Sequence, residues 1–95
     1  MYARARLDPD VEDEAPTGPD ITPYDEQHYV TYLRLLDASR DGADWAEVSR
    51  IVLRRDPIAE ELRTRHCWES HLVRAEWLSK GGYRRILEQA VRDGR

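Results

Sequence analysis

From Tyr24 to Leu36 the apolar residues fall at His28, Tyr29, Tyr32, Leu35 and Leu36, the one-face spacing of an amphipathic helix. Thr22-Pro23-Tyr24-Asp25 ahead of them reads as an N-cap, a proline at the first helical position and an acid at the third. Ser39-Arg40-Asp41-Gly42 ends the run, so the spacing predicts helix one over 24–39. Asp44-Trp45-Ala46-Glu47 has the form of a second capping box, and Trp45, Val48, Ile51, Val52 and Leu53 give helix two a broad apolar face. Arg54-Arg55 follows at its C-terminal end, where the helix dipole favours cations. Asp56-Pro57 opens helix three, and no glycine or proline interrupts Ile58 to Lys80, a rod of about 33 Å at about 1.5 Å per residue. Gly81-Gly82 stops it, and Tyr83, Ile86, Leu87 and Ala90 form the stripe of helix four. No segment alternates with period two, so the expected fold class is all-α, a small helical bundle.

Helix three carries apolar residues on two faces. Trp68, His71, Leu72, Ala75 and Leu78 fall within about 120° of arc, while Ala59, Leu62, His66, Val73 and Trp77 gather on the other side. Either helices one and four sandwich helix three, or the second stripe stays partly open as a protein-docking surface. The expected core is Tyr32, Leu36, Trp45, Val48, Ile51, Trp68, Leu72, Ala75, Tyr83 and Leu87. The expected docking residues are Val73, Arg74 and Trp77, bordered by His28 and Tyr29 of helix one.

Charge divides the chain unevenly. Its 95 residues, 36% of them charged, make at most one small domain with a net charge of −4. Residues 1–23 hold two arginines against six carboxylates and therefore the whole of that surplus. With Pro9, Pro16, Pro19 and Pro23 and few large apolar groups, they read as a disordered acidic tail ahead of a domain over 24–95. Such a tail either has no task, repels DNA, or covers a basic partner surface. No window approaches the run of about 18 apolar residues that a spanning helix needs, and MYARARLDPDVEDE lacks the apolar stretch of a secretory leader. Cys67 is the sole cysteine, which excludes an internal disulfide and suits a cytoplasmic protein.

Candidate chemistry is thin. Cys67 and His71 stand four apart, with His66 beside them, but two ligands do not make a zinc site, and no acid or oxyanion motif supports a Cys67–His71 nucleophile. Gly81-Gly82 is better read as a helix cap than as a phosphate cradle. No metal, cofactor or enzymatic activity is expected. Helix two, a connection from Arg54 to Ile58 and helix three do have the order of a helix-turn-helix, whose second helix enters the major groove. Arg54, Arg55, Arg63 and Arg65 would then meet phosphate, yet Asp56, Glu60 and Glu61 oppose them at close range. Cancelling cations forfeits the electrostatic part of DNA affinity. The residues therefore favour a monomeric, protein-binding derivative of the motif with no DNA or membrane partner, and leave a small DNA-binding regulator as the alternative.

Tyr24-Asp25-x-x-His28, Leu35-Leu36-Asp37-Ala38, Gly42-Ala43-Asp44-Trp45-x-x-Val48, Ile51-Val52-Leu53, Asp56-Pro57, Glu69-x-His71-Leu72-x-Arg74-Ala75-x-Trp77 and Gly82-Tyr83-Arg84 together resemble the RovC-type DNA-binding domain family over residues 24 to about 88. The resemblance implies an extended-turn variant of the helix-turn-helix, found in transcriptional regulators that conjugative elements often encode. Longer members carry an additional N-terminal domain and act as activators. Short acidic members act as antiactivators in quorum-sensing control of horizontal transfer, capturing an activator's N-terminal domain and blocking excision and transfer genes. Glu60 and Glu61 depart from the DNA-binding pattern, and the resemblance thus implies an antiactivator whose partner is that N-terminal domain.

Overall fold

A computed structural model describes residues 9–82. Among them there is no strand: the chain forms α1 (Pro23–Gln27), α2 (Tyr29–Arg40), α3 (Trp45–Val48), a π-helical turn over Ser49–Leu53, α4 (Glu61–Trp77) and a second π-helical turn over Leu78–Gly82. The fold class is all-α, a small helical bundle. The expected helix four, with its core residues Tyr83 and Leu87, lies outside the described residues.

The helix starts follow their local chemistry. At α1 the Thr22 hydroxyl accepts the Asp25 N–H at 3.1 Å and the Asp25 carboxylate accepts the Thr22 N–H at 3.0 Å, with Pro23 at the first position. Asp44 caps α3 by accepting the Glu47 N–H at 3.3 Å. Gly42, at φ +73°, turns the chain out of α2 in the left-handed conformation that glycine adopts without strain.

Three boundaries differ from the expected ones. The predicted helix one breaks at His28 (φ −110°, ψ 17°), whose N–H is shared between the carbonyls of Tyr24 and Asp25 while its ring turns inward. Helix two is one α-turn followed by a π-turn. Because the π-turn lengthens the inward repeat to five residues, Val48 and Leu53 are buried and Ile51, expected in the core, is 66% exposed. Helix three starts late. The Asp56 carboxylate accepts the N–H groups of Ile58 and Ala59 at 2.9 and 3.0 Å and caps a single turn, after which Glu60 (φ −135°, ψ 64°) interrupts the helix. The buried Thr64 hydroxyl donates to the Asp56 carbonyl at 3.0 Å and fixes that turn against α4. The connection therefore spans 54–60 rather than 54–58, an extended turn.

The α2 helix packs along α4, with α3 and its π-turn closing one end. One apolar cluster joins Val11, Leu35, Val48, Leu53 and Cys67, with Trp68, Leu72 and Val52 packed against it. The other joins Tyr32, Ala75 and Leu78, flanked by Tyr29, Leu36 and Trp77. Of the expected core, Tyr32, Val48 and Ala75 are buried, while Leu36, Trp45, Trp68 and Leu72 are half-buried around it. Trp45 and Trp68 meet at 6.2 Å between ring centroids.

The acidic segment expected to be disordered is, from Pro9 onward, an arm laid along α4. Val11 and Ala15 are buried, the Glu12 N–H donates to the Tyr24 hydroxyl at 3.0 Å, and the Ala15 N–H donates to the Ser70 hydroxyl at 3.1 Å. Arg74 donates to the carbonyls of Gly18 and Asp20 at 2.6 and 2.8 Å. The arm's own apolar surface is small; hydrogen bonds from side chains on other elements supply the order that its composition alone could not.

Candidate functional site

The four arginines that a DNA reader would turn toward phosphate sit on the extended turn and the first half of α4. Arg55 donates to the Asp13 carboxylate at 2.6 Å and to the Val11 carbonyl at 2.6 Å. Arg63 donates to the same Asp13 oxygen at 2.9 Å and reaches Glu60 at 3.2 Å. Those bonds, from Arg63 first and then Arg55, hold the Asp13 carboxyl below its ordinary range. Arg65 pairs with Glu69 at 3.3 Å, and its guanidinium lies 4.8 and 5.4 Å from the ring centroids of Trp45 and Trp68, fastening α3 to α4. Arg54 is exposed in the left-handed conformation (φ 58°) that lets the chain leave the π-turn. Arg55, Arg63 and Arg65 thus face acid from this same chain.

Beside them the leading edge is acidic and apolar. Glu60 and Glu61 are exposed, and so are Ile58 and Leu62, each 85% open to solvent. Ile51 was expected in the core, Leu62 in the second stripe of helix three that is either sandwiched or left partly open, and Ile58 was given no outward role. The signal that was available is the i, i+4 pairing of Ile58 and Leu62 around the two glutamates.

The opposite face differs from expectation at two of five positions. Arg74 is only 3% exposed. Its Nε and Nη2 donate to the two Asp25 oxygens at 3.1 and 2.7 Å, in a pair closed off from solvent. Asp25 also accepts the Tyr32 hydroxyl at 2.8 Å and the Thr22 hydroxyl at 3.0 Å. Burial raises the Asp25 pKa, but the hydrogen bonds from Arg74, Thr22 and Tyr32 outweigh it and the net shift is downward. His28 is likewise buried, stacked on Tyr24 at 3.9 Å, with its ring nitrogens 2.7 Å from the carbonyl oxygens of Tyr24 and Asp10. Both side chains fasten the arm to the bundle.

Val73, Trp77 and Tyr29 remain. Val73 is 63% exposed, Trp77 and Tyr29 are half-buried in one cluster, and the Arg74 guanidinium lies 4.1 Å from the Trp77 ring centroid. Val73 and Trp77 line a cleft of about 370 Å³ whose other wall includes Pro16 and Thr17 of the arm, with His66 and Glu69 beside them. The arm therefore shapes this cleft as well as the arginine site.

Cys67 and His71 are both buried and committed to the fold. The His71 Nδ1–H donates to the Cys67 carbonyl at 2.8 Å, which leaves Nε2 to accept the Tyr24 hydroxyl at 2.6 Å. Burial chiefly pushes the His71 pKa down to about 4 and the Tyr24 pKa up to about 12. It also raises the Cys67 thiol, whose Sγ donates to the Glu12 carbonyl at 3.4 Å. Among the described residues no three His, Cys, Asp or Glu side chains stand where they could hold a metal ion, and no helix is long and apolar enough to cross a membrane.

No curated protein matches the chain. A family model described as "T6SS, Transcription factor, DNA binding domain" matches residues 2–88, which includes the arm as well as the bundle. The family is one of transcription regulators rather than enzymes, and its description runs against the expectation that DNA is no partner of this fold. With the match covering nearly the whole sequence, the chain belongs to the RovC-type DNA-binding domain family.

Proposed function

We propose that the chain regulates transcription through protein contact. In this reading it is an antiactivator that binds the N-terminal domain of an activator of its own family and so blocks the excision and transfer genes of a conjugative element. The observation that carries the reading is the pairing of Arg55, Arg63 and Arg65 with Asp13, Glu60 and Glu69, which removes the basic stripe on which DNA affinity depends. The exposed Ile58 and Leu62 beside Glu60 and Glu61 support it further, because large open apolar groups suit a protein surface better than phosphate. The docking site in this reading is the Val73/Trp77 cleft, which Arg74 also lines, with Tyr29 at its border. The family's description favours a second reading, a small DNA-binding regulator that uses α3, the extended turn and α4.

Val73→Asp tests the docking site because the side chain is exposed and its loss leaves the core intact. Titration of the activator's N-terminal domain is expected to show at least about a tenfold loss of affinity, the scale of a truncated interface anchor, with an unchanged melting curve. Full affinity in Val73→Asp together with a loss in Leu62→Asp would move the interface to the leading edge.

A further inference from the structure

Two guanidinium groups from different parts of the helix-turn-helix unit converge on one oxygen of the arm. Arg55 comes from the extended turn and Arg63 from the first turn of α4, and Asp13 Oδ1 receives both, at 2.6 and 2.9 Å. Paired cations closing on a single oxyanion are the arrangement by which proteins hold a backbone phosphate, and the turn and start of the second helix are where such domains meet it. The Asp13 side chain is 50% exposed and that of Arg63 54% exposed, so the site opens to solvent. Its occupant is also separable from the arm's other attachments. Neighbouring arm residues are held mostly through their backbone: the Asp10 carbonyl at His28, the Val11 carbonyl at Arg55, the Glu12 N–H at Tyr24 and the Ala15 N–H at Ser70.

We propose that the acidic arm is a displaceable stand-in for the DNA backbone: Asp13 fills an anion site made by Arg55 and Arg63, and its removal opens that site to the phosphates of duplex DNA. The pairing of these arginines with the chain's own acid is then a closed state. The same domain holds a DNA-competent state that an intact arm suppresses. The proposal concerns a different ligand and a different face from the protein-docking cleft and does not depend on it.

The test is a fluorescence-anisotropy titration of a labelled generic duplex at low salt, with four forms of the full chain: unmodified, Asp13→Asn, Glu14→Gln, and Asp13→Asn combined with Arg63→Ala. Asp13→Asn keeps the side-chain shape and the backbone attachments, and the melting curve checks that the fold survives. Glu14→Gln removes the same unit of charge from the neighbouring carboxylate, which faces His66 at 3.7 Å instead of the arginine pair. Asp13→Asn is expected to bind at least about tenfold more tightly than the unmodified chain. The slope of log affinity against log salt should steepen by about 1.8, as two recovered phosphate contacts require. Glu14→Gln should stay within twofold of the unmodified chain, and adding Arg63→Ala should cancel the gain. Equal gains in Asp13→Asn and Glu14→Gln, or no gain in either, overturn the proposal. Because Asp13→Asn changes no side chain that lines the Val73/Trp77 cleft, its titration with the activator domain separates failure of this proposal from failure of the docking reading.

Discussion

Arg74→Ala is expected to remove a large fraction of the chain's stability. The substitution leaves the Asp25 carboxylate buried without its cation, and breaking one side of a buried pair costs about 3–5 kcal/mol. It also leaves the carbonyls of Gly18 and Asp20 without their donor and takes the cation from the Trp77 ring, so the arm and the cleft loosen together. A small domain has a total stability of only about 5–15 kcal/mol, so the loss is a large fraction of the whole. Urea unfolding followed by circular dichroism reads it directly. Replacing both partners, Asp25→Asn with Arg74→Met, should recover much of the stability because no isolated charge remains. A single Arg74→Ala variant as stable as the unmodified chain would mean that the pair does not hold the fold. The role expected from sequence for Arg74, an outward contact, would have led to a misreading of any binding loss in that variant.

The second large effect is acid sensitivity centred on His71. Its pKa in the fold is about 4, below the ordinary 6.5, because burial favours the neutral ring that bonds Tyr24 and Cys67. A depressed folded pKa means the unfolded chain takes up the proton first as pH falls. The contribution is therefore complete above about pH 6.5 and is lost progressively between there and pH 4, about 3 kcal/mol in all. Asp25 extends the loss to lower pH. Its folded pKa lies beneath the usual 3.8, so its contribution is present above that value and disappears as pH falls through the folded one. Urea midpoints across this range should decline steadily for the unmodified chain, and His71→Gln should flatten the upper part of the profile. A flat profile in the unmodified chain between pH 6.5 and 4 would contradict the neutral, buried assignment of His71.

Local signals were legible in the sequence and long-range ones were not. The caps at Thr22 and Asp44 and the stop at Gly42 depend on neighbours a few residues away, and the structure has them where the spacing predicts. Ile51 was misplaced because an α period was applied to a stretch that winds as a π-turn. The buried seam of α4 runs through Thr64, Cys67, His71, Arg74 and Ala75 and on to Leu78 of the π-turn, a regular helical stripe that an apolar-only count divides because three members, Thr64, His71 and Arg74, are polar. Read as a stripe regardless of polarity, it would have placed Arg74 inside and asked for an acid, which Asp25 supplies. The arm was the largest omission. Acidic, proline-rich composition predicts disorder when a segment must bury its own apolar surface, but here Arg55, Arg63 and Arg74 on other elements hold it. The same omission concealed why the arginines of the extended turn are neutralised. Glu60 and Glu61 were visible as opposing charges, whereas Asp13 lies 42 and 50 residues away from the arginines it binds.

This domain keeps a helix-turn-helix shape while Asp13, Glu60 and Glu69 of its own chain occupy cations that would otherwise grip DNA. Side-by-side titration of the unmodified chain, at about 150 mM salt, against labelled duplex DNA and against the proposed partner, the N-terminal domain of an activator of this family, tests the proposed function most directly. The expected result is saturable binding to the protein domain and none to the duplex. Tight duplex binding at that salt, weakening steeply as salt is raised, together with no affinity for the protein domain, would contradict it.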